Sequence, residues 1–343
     1  MIYFDYTATT KPKKELLDLH TRINEEYWCN TEGMYNQGVK AHMLLDKSSN
    51  VIIDALKLKN KKVLFTSGAT EANNTAIYGV CSAYYNEPKH IITTYLEHAS
   101  VLNVYKDLEK RGFKVTYLIP NKEGIIDTFE LEKNITNDTV LISIMWVNNI
   151  IGTIQPINEV INIKRKYPRI KLHVDAVQGF GKITPNFNFN DIDLLTLSGH
   201  KLEGLKGTGT LIYNDKLHLS FIKGGHQQDG IRPGTVDLAG CVVMAKTIKL
   251  STDNIDFKYN FMSVGRSYLF RYSDNELFDY INTEKYLDYE NIVKPDYKAD
   301  YRIVGLNAFG EVGDETYYGL IQNRIIITKE SFIISASSSS KIL

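Results

Sequence analysis

"VLFTSGATEANNTAIYGVCSAYYNEPKHIITTYL", residues 63–96, places two apolar runs, VLFT and HIITTYL, on either side of a segment in which Ile77, Val80, Cys81 and Tyr84 recur at helical spacing. Short runs rich in Val, Ile and Leu around a stretch of period 3.6 predict strand, helix, strand. Further apolar runs follow: VTYLI (115–119), VLISIMW (140–146), KLHVDA (171–176), IDLLTL (192–197) and GTLIY (209–213). Strands that alternate with helical segments imply an α/β fold, with a mostly parallel sheet covered by helices on both faces. In such sheets ligands bind at the carboxyl ends of the strands.

The chain has 343 residues, 43% of them hydrophobic, enough to fill a large domain and a smaller one. From about 241 it becomes rich in Tyr, Asp and Asn, with a weakly patterned region at 252–301 and apolar runs near 303 and 325. The expectation is a large domain over 13–240 and a smaller α+β domain over 241–343. Lys+Arg and Asp+Glu both total 40, so no net charge favours nucleic acid or an anionic membrane, and a small polar ligand fits better. The lysine runs KPKK (11–14) and KLKNKK (57–62) read as solvated faces or helix-end cations. No window is long and apolar enough to span a membrane, and the first residues lack a signal-peptide core, so a cytoplasmic location is expected. Cys29, Cys81 and Cys241 have neither metal-ligand nor disulfide spacing, and the last two read as core residues.

Three motifs carry chemistry. In "FTSGATEANN" (65–74) a strand gives way to small residues and a helix, a seat for an anion on backbone amides with the Thr70 hydroxyl beside it. "HVDAVQGFGK" (173–182) puts Asp175 at the end of a buried strand, where a carboxylate needs a partner. "LTLSGHKLEGLKGTGTLIY" (195–213) puts Lys201 just past another strand, where a lysine held deprotonated can attack a carbonyl. Singly, these read as a capping turn, a helix cap and a loop lysine. Together with His98 of "TYLEHASVLN" (94–103) they describe a site for pyridoxal phosphate, which needs a lysine, a buried carboxylate at its ring nitrogen, an anion seat and a stacking group.

"SGATEANN", "EHASVL", "VNNIIG", "HVDAVQ", "SGHK" and "RPGT" occur in the order in which they stand in the NifS/IscS-type cysteine desulfurases of the class V aminotransferase family, which this sequence resembles. The resemblance implies the type I pyridoxal-phosphate fold, with segment 1–12 packing against the smaller domain. It also implies that Lys201 bears the cofactor aldimine, Asp175 contacts the pyridine nitrogen, Gln178 the ring hydroxyl, and His98 stacks on the ring. Ala69, Thr70, Ser198 and His200 would hold the phosphate, with Thr235 reaching over from the second subunit of a homodimer. Asn148 would lie near the cofactor and the substrate carboxylate. Trp146 and Ile150 stand where the family has His and Glu, so the local geometry there is expected to differ. The implied reaction releases sulfur from L-cysteine with alanine as co-product, for delivery to an acceptor or scaffold protein.

The resemblance also sets "ISASSSSK" (334–341) against the family's catalytic loop and puts Ser340 at the position of the nucleophilic cysteine. A serine hydroxyl does not ionise near neutral pH and cannot carry a persulfide. Sulfur transfer through this loop is therefore expected to be impaired, and the C-terminus reads as short relative to the family, without its carboxylate-pairing arginine. Cys29 is a candidate surrogate thiol, and Arg232 a candidate anion contact. A cofactor-binding homologue without the reaction, a shortened gene product and another class V reaction all stay open.

Overall fold

The structure, a computed structural model, describes residues 5–87 and 89–253. Neighbouring apolar residues in its strands divide between two cores. Leu64, Ile91, Leu141, Leu194 and Leu211 enter one, and the next residue of each strand, Phe65, Ile92, Ile142, Leu195 and Ile212, enters the other. Side chains alternate across a strand, so a doubly apolar strand must be covered on both faces.

Among the described residues the seven strands are β1 (Lys61–Thr66), β2 (His90–Thr94), β3 (Lys114–Leu118), β4 (Thr139–Ser143), β5 (Lys171–Asp175), β6 (Leu194–Ser198) and β7 (Gly209–Asn214), all at the seven expected runs. Their order is β1-β7-β6-β5-β4-β2-β3. The β2–β3, β2–β4, β4–β5 and β5–β6 pairs are parallel, whereas β7 is antiparallel to both β6 and β1, so β7 alone opposes the others.

The helices are α1 (Lys14–Glu26), α2 (Asn36–Ala55), α3 (Ala69–Cys81), α4 (Ala99–Lys110), α5 (Thr128–Lys133), α6 (Ile157–Lys166) and α7 (Leu238–Asp253). On one face α3 and α4 supply Ala72, Ala76, Ile77, Val80, Val101, Val104, Tyr105 and Leu108, the i, i+3, i+4, i+7 stripe of an amphipathic helix. On the other, α6 supplies Ile157, Val160 and Ile161, and α7 supplies Met244, Ala245 and Ile248. Lys164, Arg165 and Lys166 close the last turn of α6, where cations complement the helix dipole. Burying each such aliphatic side chain contributes roughly 1.5–3 kcal/mol.

The expected change of domain at 241 falls inside α7. Its Cys241, Met244, Ala245 and Ile248 belong to the core of the large domain, and Leu238 and Ala239 pack with Ile23 of α1 and Ala41 of α2. The helix is thus one packed unit across position 241, its apolar face engaged on the sheet and on α1 and α2. The rest of the expected smaller domain, from 254 on and with the apolar runs near 303 and 325, lies outside the described residues. The described part of segment 1–12 runs against the Lys201 turn of the large domain, where Thr10 N donates to His200 O at 2.8 Å.

Near the middle of the sheet, His173 is fully buried between the Ser143 hydroxyl (2.8 Å) and the Thr196 hydroxyl (3.1 Å). Burial pushes its pKa down to about 3 from 6.5. The native state therefore keeps the ring neutral while the unfolded chain takes up a proton below pH 6.5, so this contribution is present above that pH and lost as pH falls toward 3. The expected outcome, read by urea unfolding between pH 7 and 4.5, is a fall of up to about 1.4 kcal/mol per pH unit from this group. His173→Gln should flatten that slope, and an unchanged slope in the variant would refute the assignment.

Candidate active site

At the carboxyl end of β1 the chain turns through Ser67 and Gly68 into α3. Gly68 adopts φ +152°, ψ 180°, a region essentially limited to glycine. Gly209 of β7 lies opposite both Thr66 and Ser198, and a Cβ there would come within 2.6 Å of the Gly68 backbone. These two glycines let the turn lie directly on β7, so that Ala69 and Thr70 present the N-terminal amides of α3 to the cavity. Glu71 braces the turn, accepting from Ser67 N at 2.7 Å and from Arg232 Nε at 2.9 Å. Burial pushes the Glu71 carboxyl up, but these donors outweigh it and hold the pKa below the usual value. Arg232 is thus engaged by a carboxylate of its own chain.

Asp175 ends β5, 5% exposed. Its Oδ1 accepts from Val177 N at 3.0 Å and its Oδ2 from Asn73 Nδ2 at 2.8 Å. Burial raises its pKa, opposed by those two donors and by His98 and Lys201 nearby. His98 caps the N-terminus of α4, with Nδ1 accepting from Ser100 N at 3.1 Å, and faces the same cavity.

Past β6, Ser198 is buried and Lys201 lies in a short 3₁₀ turn, Gly199–Lys201. Lys201 Nζ donates to the carbonyls of Thr7 and, at 2.8 Å, Ala8. Burial lowers its pKa below 10.5, opposed by Asp5 and Asp175. His200 Nδ1 meets Thr9 Oγ1 at 3.1 Å, and burial, with Lys201, Lys182 and Lys206 nearby, lowers its pKa to about 4. Gln178 is held by Lys182 Nζ (2.5 Å) and by Thr7 O (3.2 Å).

These groups line one cavity of about 770 Å³ at the carboxyl ends of the parallel strands. Of the residues expected at the site, Ala69, Thr70, His98, Asp175, Gln178, Ser198, His200 and Lys201 line it. Asn148 does not. It is buried, with Nδ2 donating to Leu96 O (2.8 Å) and Oδ1 accepting from Ile150 N and Ile151 N (2.8 and 2.9 Å), which shapes the turn, and Asn149 lines the cavity in its place. Trp146 points the other way, into the core, its ring 4.9 Å from Phe187 and packed on Gly179, while Met145 and Val147 line the cavity. Ile150 is exposed outside the lining, and so is Thr235. None of the three cysteines lines the cavity, and Cys29 is half-buried in the turn after α1. Ser340 lies outside the described residues. Sequence reasoning missed Asn73, Ser100 and the strap of Asp5, Thr7 and Ala8, although Asn73 and Ser100 stand inside motifs already quoted.

Comparison with known proteins gives the geometry a context. A family profile described as Aminotransferase class-V matches residues 2–260. The NifS/IcsS protein homolog of Lactobacillus delbrueckii subsp. bulgaricus is 42% identical over 252 residues, 73% of this chain and 66% of that protein. The cysteine desulfurase IscS of Dictyoglomus turgidum is 38% identical over 284 residues, 82% and 72% of the two chains. This chain thus spans about two thirds to three quarters of those relatives' lengths. A solved NifS-like protein superimposes with a TM-score of 0.74 at 33% identity, covering 78% of this chain and 74% of its own, which identifies the sheet and its helices as the type I pyridoxal-phosphate fold. The profile takes in all seven strands and the whole of α7, so the chain belongs to the class V aminotransferase family.

Proposed function

We propose that the protein is a pyridoxal-phosphate-dependent, cysteine-desulfurase-like enzyme acting on L-cysteine, with sulfur transfer impaired at Ser340. The observation that carries this reading is the meeting of Lys201, Asp175, His98 and the first turn of α3 in one cavity. The donor set suits the cofactor. The amides of Ala69 and Thr70, with Ser198 and His200, offer hydrogen bonds to a phosphate, and Asp175 is a buried carboxylate whose raised pKa leaves room for a cationic partner.

When bound, pyridoxal phosphate supplies the electron sink that stabilises negative charge at the substrate α-carbon. Lys201, whose pKa burial lowers, would meet the cofactor carbonyl and serve as base for the α-proton, and the carbonyls of Thr7 and Ala8 accept from its Nζ. With the cofactor bound, Asp175 would keep the ring nitrogen protonated, Gln178 would reach the ring hydroxyl and His98 would cover the ring. Asn149 takes the role expected of Asn148, beside the substrate carboxylate. Thr235, exposed away from this chain's cavity, supports a homodimer in which it reaches the other subunit's phosphate. Trp28, Met34, Tyr35, Val39 and Met43, exposed apolar side chains on α2 and the turn before it, support the same assembly. A cytoplasmic location and delivery of sulfur to an acceptor or scaffold protein complete the reading. Among the described residues no helix is long and apolar enough to cross a membrane.

The absence of a cysteine in the cavity lining favours a second reading, a cofactor-binding homologue that no longer desulfurates. Sulfide and alanine release from L-cysteine, measured with added pyridoxal phosphate and a reducing thiol, separates the two. Slow release of both in equal amounts is expected, rising at least roughly tenfold in Ser340→Cys. No release from either protein would leave the second reading.

Borohydride trapping followed by mass spectrometry should attach the cofactor to the wild-type chain and not to Lys201→Ala. Because burial lowers the Lys201 pKa, trapping should rise with pH and reach half its maximum below pH 10.5. Gly209→Ala, which sets a Cβ 2.6 Å from the Gly68 backbone, should weaken pyridoxal phosphate binding by about tenfold or more while the far-ultraviolet spectrum is kept. Unaltered binding would mean that this turn does not hold the phosphate.

A further inference from the structure

Asn73 is neither among the expected cofactor contacts nor in the cavity lining, yet both hydrogens of its amide group are committed to residues that are. Its Nδ2 lies 2.8 Å from Asp175 Oδ2 and 2.9 Å from Ser100 Oγ, and the side chain is fully buried on α3. Charge fixes this orientation, because an amide oxygen turned toward the Asp175 carboxylate would be repelled. Asn73 Oδ1 has no partner among the described residues, so the side chain is anchored through its nitrogen alone.

The second hydrogen decides what Ser100 does. A hydroxyl that accepts from Asn73 keeps its own proton to give, and 2.9 Å away stands His98 Nδ1. The Ser100 backbone N–H points at the same ring nitrogen from 3.1 Å. Two donors converge on Nδ1, so a neutral His98 ring carries its proton on Nε2.

We propose that Asn73 is a positioning residue that couples Asp175 to His98: through the Ser100 hydroxyl it fixes the His98 ring with Nδ1 as acceptor and the transferable proton on Nε2. One amide group thereby holds the carboxylate that would face the ring nitrogen and sets the tautomer of the histidine that would cover the ring. A residue that only packed α3 against the sheet would leave the His98 tautomer untouched. The inference rests on the reading of the cavity as a cofactor site, but its test does not need the cofactor.

The test is nitrogen NMR of the full chain labelled with 15N-histidine, without pyridoxal phosphate, at a pH where the ring is neutral. The chain has eight histidines, and His98→Gln assigns the wanted pair of signals. The expected wild-type spectrum has an unprotonated, downfield Nδ1 and a protonated Nε2 at His98. Asn73→Ala should move Nδ1 upfield, toward the position of two exchanging tautomers, although the two side chains do not touch. In a Ser100→Ala background the same substitution should add no further shift. A His98 spectrum unmoved by Asn73→Ala, or moved equally in both backgrounds, overturns the proposal. Should Asn73→Ala fail to fold, the serine variants decide: Ser100→Ala must shift Nδ1 and Ser100→Thr must restore it, and no shift in Ser100→Ala overturns the proposal. Borohydride trapping at Lys201 reports on the cofactor reading separately, so the two can fail independently.

Discussion

The site depends on satisfying one carboxylate inside the protein. Asp175 ends a strand whose other residues fill the core, and an unpartnered charge there would cost several kcal/mol. Two donors meet the demand, one local, from Val177 N, and one from α3, through Asn73. The second fixes where α3 must lie, and with it the turn at Gly68 that starts the helix. Around the same carboxylate, β4 continues past its ladder so that Trp146 N bonds Asp175 O at 2.9 Å, which brings Met145 and Val147 to the cavity wall. The turn at Gly68, the first turn of α3 and the cavity wall are thereby placed relative to a single buried group.

That geometry also explains how the site accommodates an unusual neighbour. Trp146 stands at a position where the resemblance led to an expected change in the site, but strand alternation turns its ring into the opposite core, against Gly179 and Phe187. The indole is accommodated by packing: Gly179 leaves the space, since a Cβ there would lie 2.5 Å from it. The cavity side of the strand end keeps its own residues.

The fold was legible where physics is local. Paired apolar residues such as Ile91-Ile92 and Leu194-Leu195 announce strands covered on both faces, and glycine-rich turns after strands announce sites. Lys201, Asp175 and His98 were legible because each follows directly on a strand. The choice between Asn148 and Asn149 was not, since two identical neighbours differ only in which one has its Oδ1 captured by the amides of Ile150 and Ile151. Nor was the strap at Thr7 and Ala8, which serves the site through backbone carbonyls that no side chain advertises. The extent of α7 was hidden for a related reason, because its inward face is read by α1, α2 and the sheet, all far away in the chain.

The strap and the edge strand share a consequence for how the molecule comes into being on the ribosome. Thr10 is bonded to His200, 190 residues later, and β1 pairs along its length with β7. The hydrogen-bond partners of Thr10 and of β1 are therefore translated only about 150 to 190 residues after them. Chain elongation at about 5–20 residues per second makes that an interval of roughly ten to forty seconds. Throughout it the apolar half of β1, Leu64 and Phe65, stays unpaired. The turn that carries Lys201 and the turn at Gly68 that rests on Gly209 can therefore be assembled only once β7 has been translated.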